Sequence, residues 1–190
     1  PIDGTKSFIT GRPLFGTIIG LLHKGKPVMG AVDQAITKER WLGVTNKSAT
    51  CNGKPIRVAA PRKLDAARLY IGSLDMFRGA DTWNYLRLCH AAKLTQYACD
   101  VYAYGLQAMG WCDAVVEKKL KIYDISGVIP IVTGAGGVAC DWQGKPMADQ
   151  NIVDSYDGKF IAASSQALAD ECSSILTTQH TPRENPFERE

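Results

Sequence analysis

Cysteine and histidine are sparse and scattered in this chain. Six cysteines (Cys51, Cys89, Cys99, Cys112, Cys140, Cys172) form no Cys-x-x-Cys pair and do not cluster with the three histidines, His23, His90 and His180. That spacing argues against a zinc site or a disulfide framework and fits a reducing compartment. Charge of one sign is also scarce. The net charge is only +3, and the densest basic cluster is Lys118, Lys119 and Lys121, which reads as a solvated strand end. Nucleic acid is therefore not an expected partner. No long hydrophobic run exists: the longest stretch without Asp, Glu, Lys or Arg, residues 125–140, falls short of a membrane span and is broken by Gly and Pro. No internal repeat or low-complexity block is present.

What remains is an ordinary globular composition, 45% hydrophobic and 22% charged over 190 residues, enough for one sizeable domain or parts of two. Apolar runs at 15–22 and 28–33, joined by the polar turn His23-Lys24-Gly25-Lys26-Pro27, predict a β-hairpin, with 40–44 as a third strand. A boundary is expected near residue 63, between an N-terminal part (1–63) and a C-terminal α/β part (64–180). Within the second part the pattern predicts strands near 68–72, 114–117, 137–142 and 160–163, and helices over 81–94, 101–110 and 165–176, the last capped by Ser164 or Ser165. Residues 181–190, with two prolines and mostly polar neighbours, are expected to be a disordered tail.

Two short stretches carry chemistry. In Pro1-Ile2-Asp3-Gly4-Thr5, a carboxylate able to ligate a hard cation is followed by a Gly that admits close backbone approach and a Thr with a hydroxyl and an amide. Asp-Gly is also a common turn pair, so an ordinary turn is the plainer alternative. In Tyr123-Asp124, an Asp precedes a mostly apolar run that contains Pro130 and closes at Gly136-Gly137, which predicts a helix with Asp124 as its N-cap, kinked or shortened at Pro130. Asp100 ahead of Val101 likewise suits an N-cap, and Glu117 beside Lys118 a solvated strand end.

Together these stretches resemble the inositol-monophosphatase-like superfamily of metal-dependent phosphomonoesterases. The likeness is closest to its histidinol-phosphate phosphatase branch, through Lys6-Ser7-Phe8-Ile9-Thr10-Gly11-Arg12-Pro13, Cys99-Asp100-Val101-Tyr102, Leu120-Lys121-Ile122-Tyr123-Asp124 and Asp141-Trp142-Gln143-Gly144. The resemblance implies an α/β fold of alternating helix and sheet layers, a Mg²⁺ cofactor and a small phosphomonoester substrate. By the same resemblance Asp3, Asp124 and the Ile2 backbone carbonyl are metal ligands, and Asp3 and Thr5 are catalytic. Gly4 and Thr5 hold the phosphate, and the Thr5 hydroxyl helps orient the attacking water. Asp100 and Glu117 sit at the rim of the leaving-group pocket, where two carboxylates suit the ammonium and imidazole of histidinol phosphate better than the hydroxyls of inositol. None of the three histidines receives a catalytic role.

The family's earlier ligands, a Glu and the Asp that would precede Pro1, lie upstream of this chain. The expectation is accordingly the later two-thirds of a longer protein, inactive as an isolated piece. The parent is expected to be a cytoplasmic homodimer by resemblance, with an organelle left open because no leader can be read here. Two alternatives stand beside histidinol-phosphate hydrolysis: a phosphatase of the same fold acting on inositol monophosphate or another small phosphomonoester, and a non-catalytic binding module lacking the upstream ligands.

Overall fold

A computed structural model describes residues 2–178, so the predicted tail at 181–190 lies outside the described residues. Six strands, β1 (Ile2–Asp3), β2 (Gly16–His23), β3 (Lys26–Gln34), β4 (Glu39–Val44), β5 (Ser48–Cys51) and β6 (Lys54–Pro55), form an antiparallel sheet in chain order. The β2–β3 turn is tight because Lys24 and Gly25 both adopt positive φ, at 50° and 77°, the geometry whose twist matches the flanking strands. A helix of five residues, α1 (Thr5–Ile9), follows β1 directly.

The second sheet holds β7 (Arg68–Ile71), β8 (Leu94–Tyr97), β9 (Ala114–Lys118), β10 (Val138–Cys140) and β11 (Lys159–Ala163) in the order β10-β11-β9-β7-β8. β7 runs parallel to β8 and β9, whereas β11 is antiparallel to β9 and β10. The helices are α2 (Ala80–Ala91), α3 (Asp100–Ala108), α4 (Ile122–Ile125), α5 (Val128–Gly134), α6 (Ile152–Ser155) and α7 (Gln166–Thr177). One core joins the inner face of the first sheet to α3, α4 and α5 and to the near face of the second sheet. A second core lies beyond that sheet, under α2 and α7. The result is the expected α/β fold of alternating layers.

A row of glycines sets the depth of the first interlayer contact. Gly20, Gly30 and Gly43 are register partners across β2, β3 and β4. A Cβ at Gly20 would lie 2.6 Å from the Ser126 carbonyl carbon, one at Gly30 would overlap the Gly127 carbonyl oxygen, and one at Gly43 would strike the Ile131 backbone. The α4–α5 segment therefore rests backbone against backbone on the sheet. All of Val128 to Thr133 is buried as a consequence.

Four expectations are corrected. The helix predicted over 81–94 ends at Ala91, because Leu94 enters β8, where its amide donates to the Ala67 carbonyl (3.3 Å). The apolar run after Asp124 is two short helices. Pro130 falls in the first turn of α5, where its missing N–H breaks no helical bond. Of the basic cluster, Lys119 and Lys121 are exposed as expected, but Lys118 is not solvated. Lys118 pairs with Asp81 and lies over the Trp142 ring, and Lys119 Nζ donates to the Asp75 carbonyl (3.1 Å).

Candidate active site

The turn at Asp3 is built by the end of β1 and by Gly4, whose φ of 77° favours glycine. Close approach demands glycine there as well: a Cβ on Gly4 would stand 2.9 Å from the Asp100 Cβ and 3.0 Å from its Oδ2. Asp100 thus sits directly on the turn, 97 residues after Asp3 in the chain. Its carboxylate accepts from Ser7 Oγ of α1 at 2.5 Å. Thr5 is exposed at the start of α1, and Ile2 is exposed beside it.

Asp100 is not the N-cap of α3, contrary to expectation. It is the first helical residue, follows Cys99 at the cap position and makes no capping bond, and its φ is 48°. The free amide at that helix start is satisfied from elsewhere: Val101 N–H donates to Asp3 Oδ2 at 2.7 Å. Asp124 is not an N-cap either. Lys121 occupies that position, and Asp124 lies in the first turn with its Oδ2 accepting the Lys121 amide at 2.7 Å, half of a capping box. The short apolar helix begins at Ile122, three residues earlier than the apolar run suggests.

Glu117 departs furthest from its expected setting. On β9, opposite Phe160 of β11, it is only 7% exposed and accepts a 2.6 Å hydrogen bond from the buried Tyr104 hydroxyl of α3. It is not a solvated strand end. Burial pushes its carboxyl up to about 8, helped by the negative charges of Asp3, Asp100 and Asp124. Burial likewise raises Asp3 to about 6, with Asp100 and then Asp124 adding to the effect and the Val101 amide opposing it. The half-buried Asp124 is raised as well, again by burial first, against the Lys121 amide.

The four predicted carboxylates therefore feel one another, and among the described residues none of them is in a salt bridge. Negative charge gathered in this way, with Lys6 and Lys121 nearby but in no salt bridge to it, suits a hard cation. Among the described residues no three His, Cys, Asp or Glu side chains converge tightly enough to hold a metal by themselves. Mg²⁺ asks for less than that, since it keeps several waters, takes oxygens from a substrate phosphate and is held by as few as one or two carboxylates. Surface depressions of about 560 Å³ each lie between residues 33 and 53 and beside α4, the latter lined by Lys121, Tyr123 and Tyr156 next to Asp124.

Ser7, Tyr104 and the Lys6–Asp75 ion pair (2.9 Å), which joins α1 to the 3₁₀ turn Leu74–Met76, receive no role from the sequence. Only the Asp100–Tyr104 spacing of one helical turn hints at a shared face.

The class that the fold defines is a layered α/β protein with an acidic turn at its β1–α1 junction. The family model for the inositol monophosphatase family matches residues 1–180, and the chain belongs to that family. It is 48% identical over 145 residues to a bifunctional phosphatase IMPL2, chloroplastic, of Arabidopsis thaliana, covering 76% of this chain and 42% of the relative. It is 30% identical over 169 residues to a histidinol-phosphatase of Chlorobaculum parvum, covering 88% of this chain and 62% of the relative. Among solved structures, an inositol monophosphatase from Zymomonas mobilis superposes with a TM-score of 0.84 at 38% identity, over 93% of this chain and 68% of that one. The chain thus spans about half to two-thirds of the length of these relatives. Among the described residues no helix is long and apolar enough to cross a membrane.

Proposed function

We propose that the protein is a Mg²⁺-dependent phosphomonoesterase that hydrolyses L-histidinol phosphate to L-histidinol and phosphate in histidine biosynthesis. The observation that carries this reading is the placement of Asp100 and Glu117. One lies on the phosphate turn, the other is buried behind it, and neither is in a salt bridge among the described residues. A leaving group bearing positive charge compensates both, whereas inositol supplies only hydroxyls.

In this proposal Asp3, Asp124 and the Ile2 carbonyl hold the metal, which when bound supplies positive charge against the phosphate and acidifies a water. Gly4 and Thr5 present backbone amides to the phosphate, and the Thr5 hydroxyl orients the attacking water. Val101 N–H keeps one Asp3 oxygen fixed, so that the other is left for the ion. Asp100 and Glu117 receive the cationic end of the substrate. The six cysteines are all free, which agrees with a reducing compartment, cytoplasm or organelle. A homodimer is proposed from the family likeness.

The 38% identity to an inositol monophosphatase favours a second reading, hydrolysis of inositol monophosphate by the same machinery. Steady-state kinetics of the full-length protein on both substrates, with Asp100→Asn beside the wild type, decide between them. A charge-assisted contact is worth about 1.5–3 kcal/mol, so kcat/KM for histidinol phosphate is expected to fall about tenfold or more, and that for inositol monophosphate much less. Equal losses on both substrates sink the assignment of Asp100.

A further inference from the structure

We infer that Tyr104 is the positioning residue for substrate choice: its hydroxyl engages one oxygen of Glu117 and leaves the other to accept from a cationic leaving group. The inference rests on the phosphatase reading above and adds to it a residue that touches no substrate. Asp100 and Tyr104 are separated by one turn of α3 and so share a helix face. Tyr104 is 4% exposed, and its ring lies against Phe160 at 5.7 Å between centroids. Phe160 is itself the register partner of Glu117. Ring, carboxylate and strand are thereby fixed together.

The Tyr104 hydroxyl donates to Glu117 Oε2 at 2.6 Å. On the other side the Met76 sulfur takes the space that a side chain at Gly72 would need: a Cβ there would lie 2.6 Å from that sulfur and 3.4 Å from Glu117 Oε1. Glu117 Oε1, unlike Oε2, accepts no hydrogen bond among the described residues. A carboxylate has only acceptors, and with Oε2 committed to Tyr104 the second oxygen calls for a donor. An ammonium offers donors and charge together. Without the Tyr104 hydroxyl, the buried carboxyl loses its one hydrogen-bond partner and is free to rotate away. That change removes its preference for a cation over a neutral hydroxyl.

The test is Tyr104→Phe in the full-length protein, assayed with L-histidinol phosphate and with inositol 1-phosphate. Tyr156→Phe serves as the control. Its hydroxyl is also buried, and the negative charge of Glu117 opposes its ionisation, but it has no hydrogen-bond partner among the described residues. The expected result for Tyr104→Phe is a KM for histidinol phosphate raised about tenfold, with kcat within about twofold and inositol 1-phosphate kinetics changed less than about threefold. Added to Glu117→Gln, the same change should bring little further loss. Equal effects on both substrates, or the same shift from Tyr156→Phe, overturn the inference and leave the phosphatase reading intact. A wild type that prefers inositol 1-phosphate overturns the histidinol-phosphate reading, and with it the cation assigned to Glu117.

Discussion

Replacing Gly30 by Ala should damage stability and metal dependence together, because the glycine row seats the segment that carries Asp124. The added methyl would overlap the Gly127 carbonyl oxygen and stand 2.6 Å from its carbonyl carbon and 2.8 Å from its Cα. Carbon contacts are comfortable at about 3.5–4.0 Å, so one element must retreat by roughly 1 Å. Every atom in the way is backbone, and no rotamer change relieves the clash. Overpacking of this kind costs about 1–3 kcal/mol, and with rigid partners on both sides the upper end is expected. For a domain of this size ~3 kcal/mol lowers Tm by about 6–12 °C. Asp124 lies only three residues before Gly127, so its carboxylate moves with the segment. A displacement of about 1 Å at a reacting site can cost on the order of 10²-fold in rate. The assay is urea denaturation combined with a Mg²⁺ titration of activity, against Gly53→Ala as control. Gly53 has a φ of 76° and open space around it, so alanine there adds only backbone strain of roughly 1–2 kcal/mol, far from α4. A Gly30→Ala protein as stable as wild type refutes the packing argument. One that is destabilised but needs no more Mg²⁺ than wild type refutes the link to Asp124.

Asp3→Asn and Asp124→Asn should each abolish most Mg²⁺-dependent turnover while metal-free melting stays unchanged or rises, since burial already opposes the charge of both; near-native turnover at ordinary Mg²⁺ would remove them from the ligand set. For Glu117, raised from 4.5 to about 8, the charged form costs stability once pH exceeds the unfolded value, and that cost is complete above the folded one. Glu117→Gln should therefore gain stability over wild type as pH climbs from about 4.5 to 8, by an order of 2–5 kcal/mol in metal-free buffer; a pH-independent difference in melting would contradict this. Asp113 is fully buried and bonded to Arg62 and to the side chain and amide of Arg68, so Asp113→Asn should cost about 3 kcal/mol at neutral pH. Although burial opposes ionisation, the Arg68 bonds hold this carboxyl below its ordinary value, so the difference should fade as pH falls through that lowered value; a loss that persists in strong acid would point to packing instead.

What could be read in the sequence was local. Alternation and turn chemistry located β2, β3 and β4, and Ser165 was legible as the cap of α7, where its side chain accepts from Leu168 N–H. Asp3-Gly4-Thr5 was legible because a turn residue, a carboxylate and a glycine stand side by side. The errors came where distant partners decide. An Asp before an apolar run looks like a cap, but Asp100 turns to Ser7, 93 residues away, and leaves Val101 N–H to Asp3, 98 residues away. Glu117 next to lysines looks solvated until Tyr104 and the second sheet close over it. β8 is four residues long with no apolar alternation, and only its parallel pairing with β7 makes it a strand. The glycine row is invisible in the chain because its members align only through strand register.

Helix α3 accounts for how these distant pieces become one site. Its Val101 amide fixes Asp3 from the first sheet, Asp100 locks onto α1, and one turn later Tyr104 reaches Glu117 on the second sheet. A single buried element thus sets the spacing between the proposed metal turn and the proposed leaving-group pocket, with no loop in between. The start of that helix is strained, since Asp100 has a φ of 48°. Asp and Asn tolerate this left-handed conformation better than other non-glycine residues, because their short polar side chains bond locally. Asp100→Asn therefore removes charge while keeping shape and backbone, whereas Asp100→Ala adds strain at the very amide that holds Asp3. The alanine variant should lose turnover on every phosphomonoester, and the asparagine variant chiefly on the cationic one. If the two variants behaved alike, Asp100 would be acting through the helix start and not through its charge.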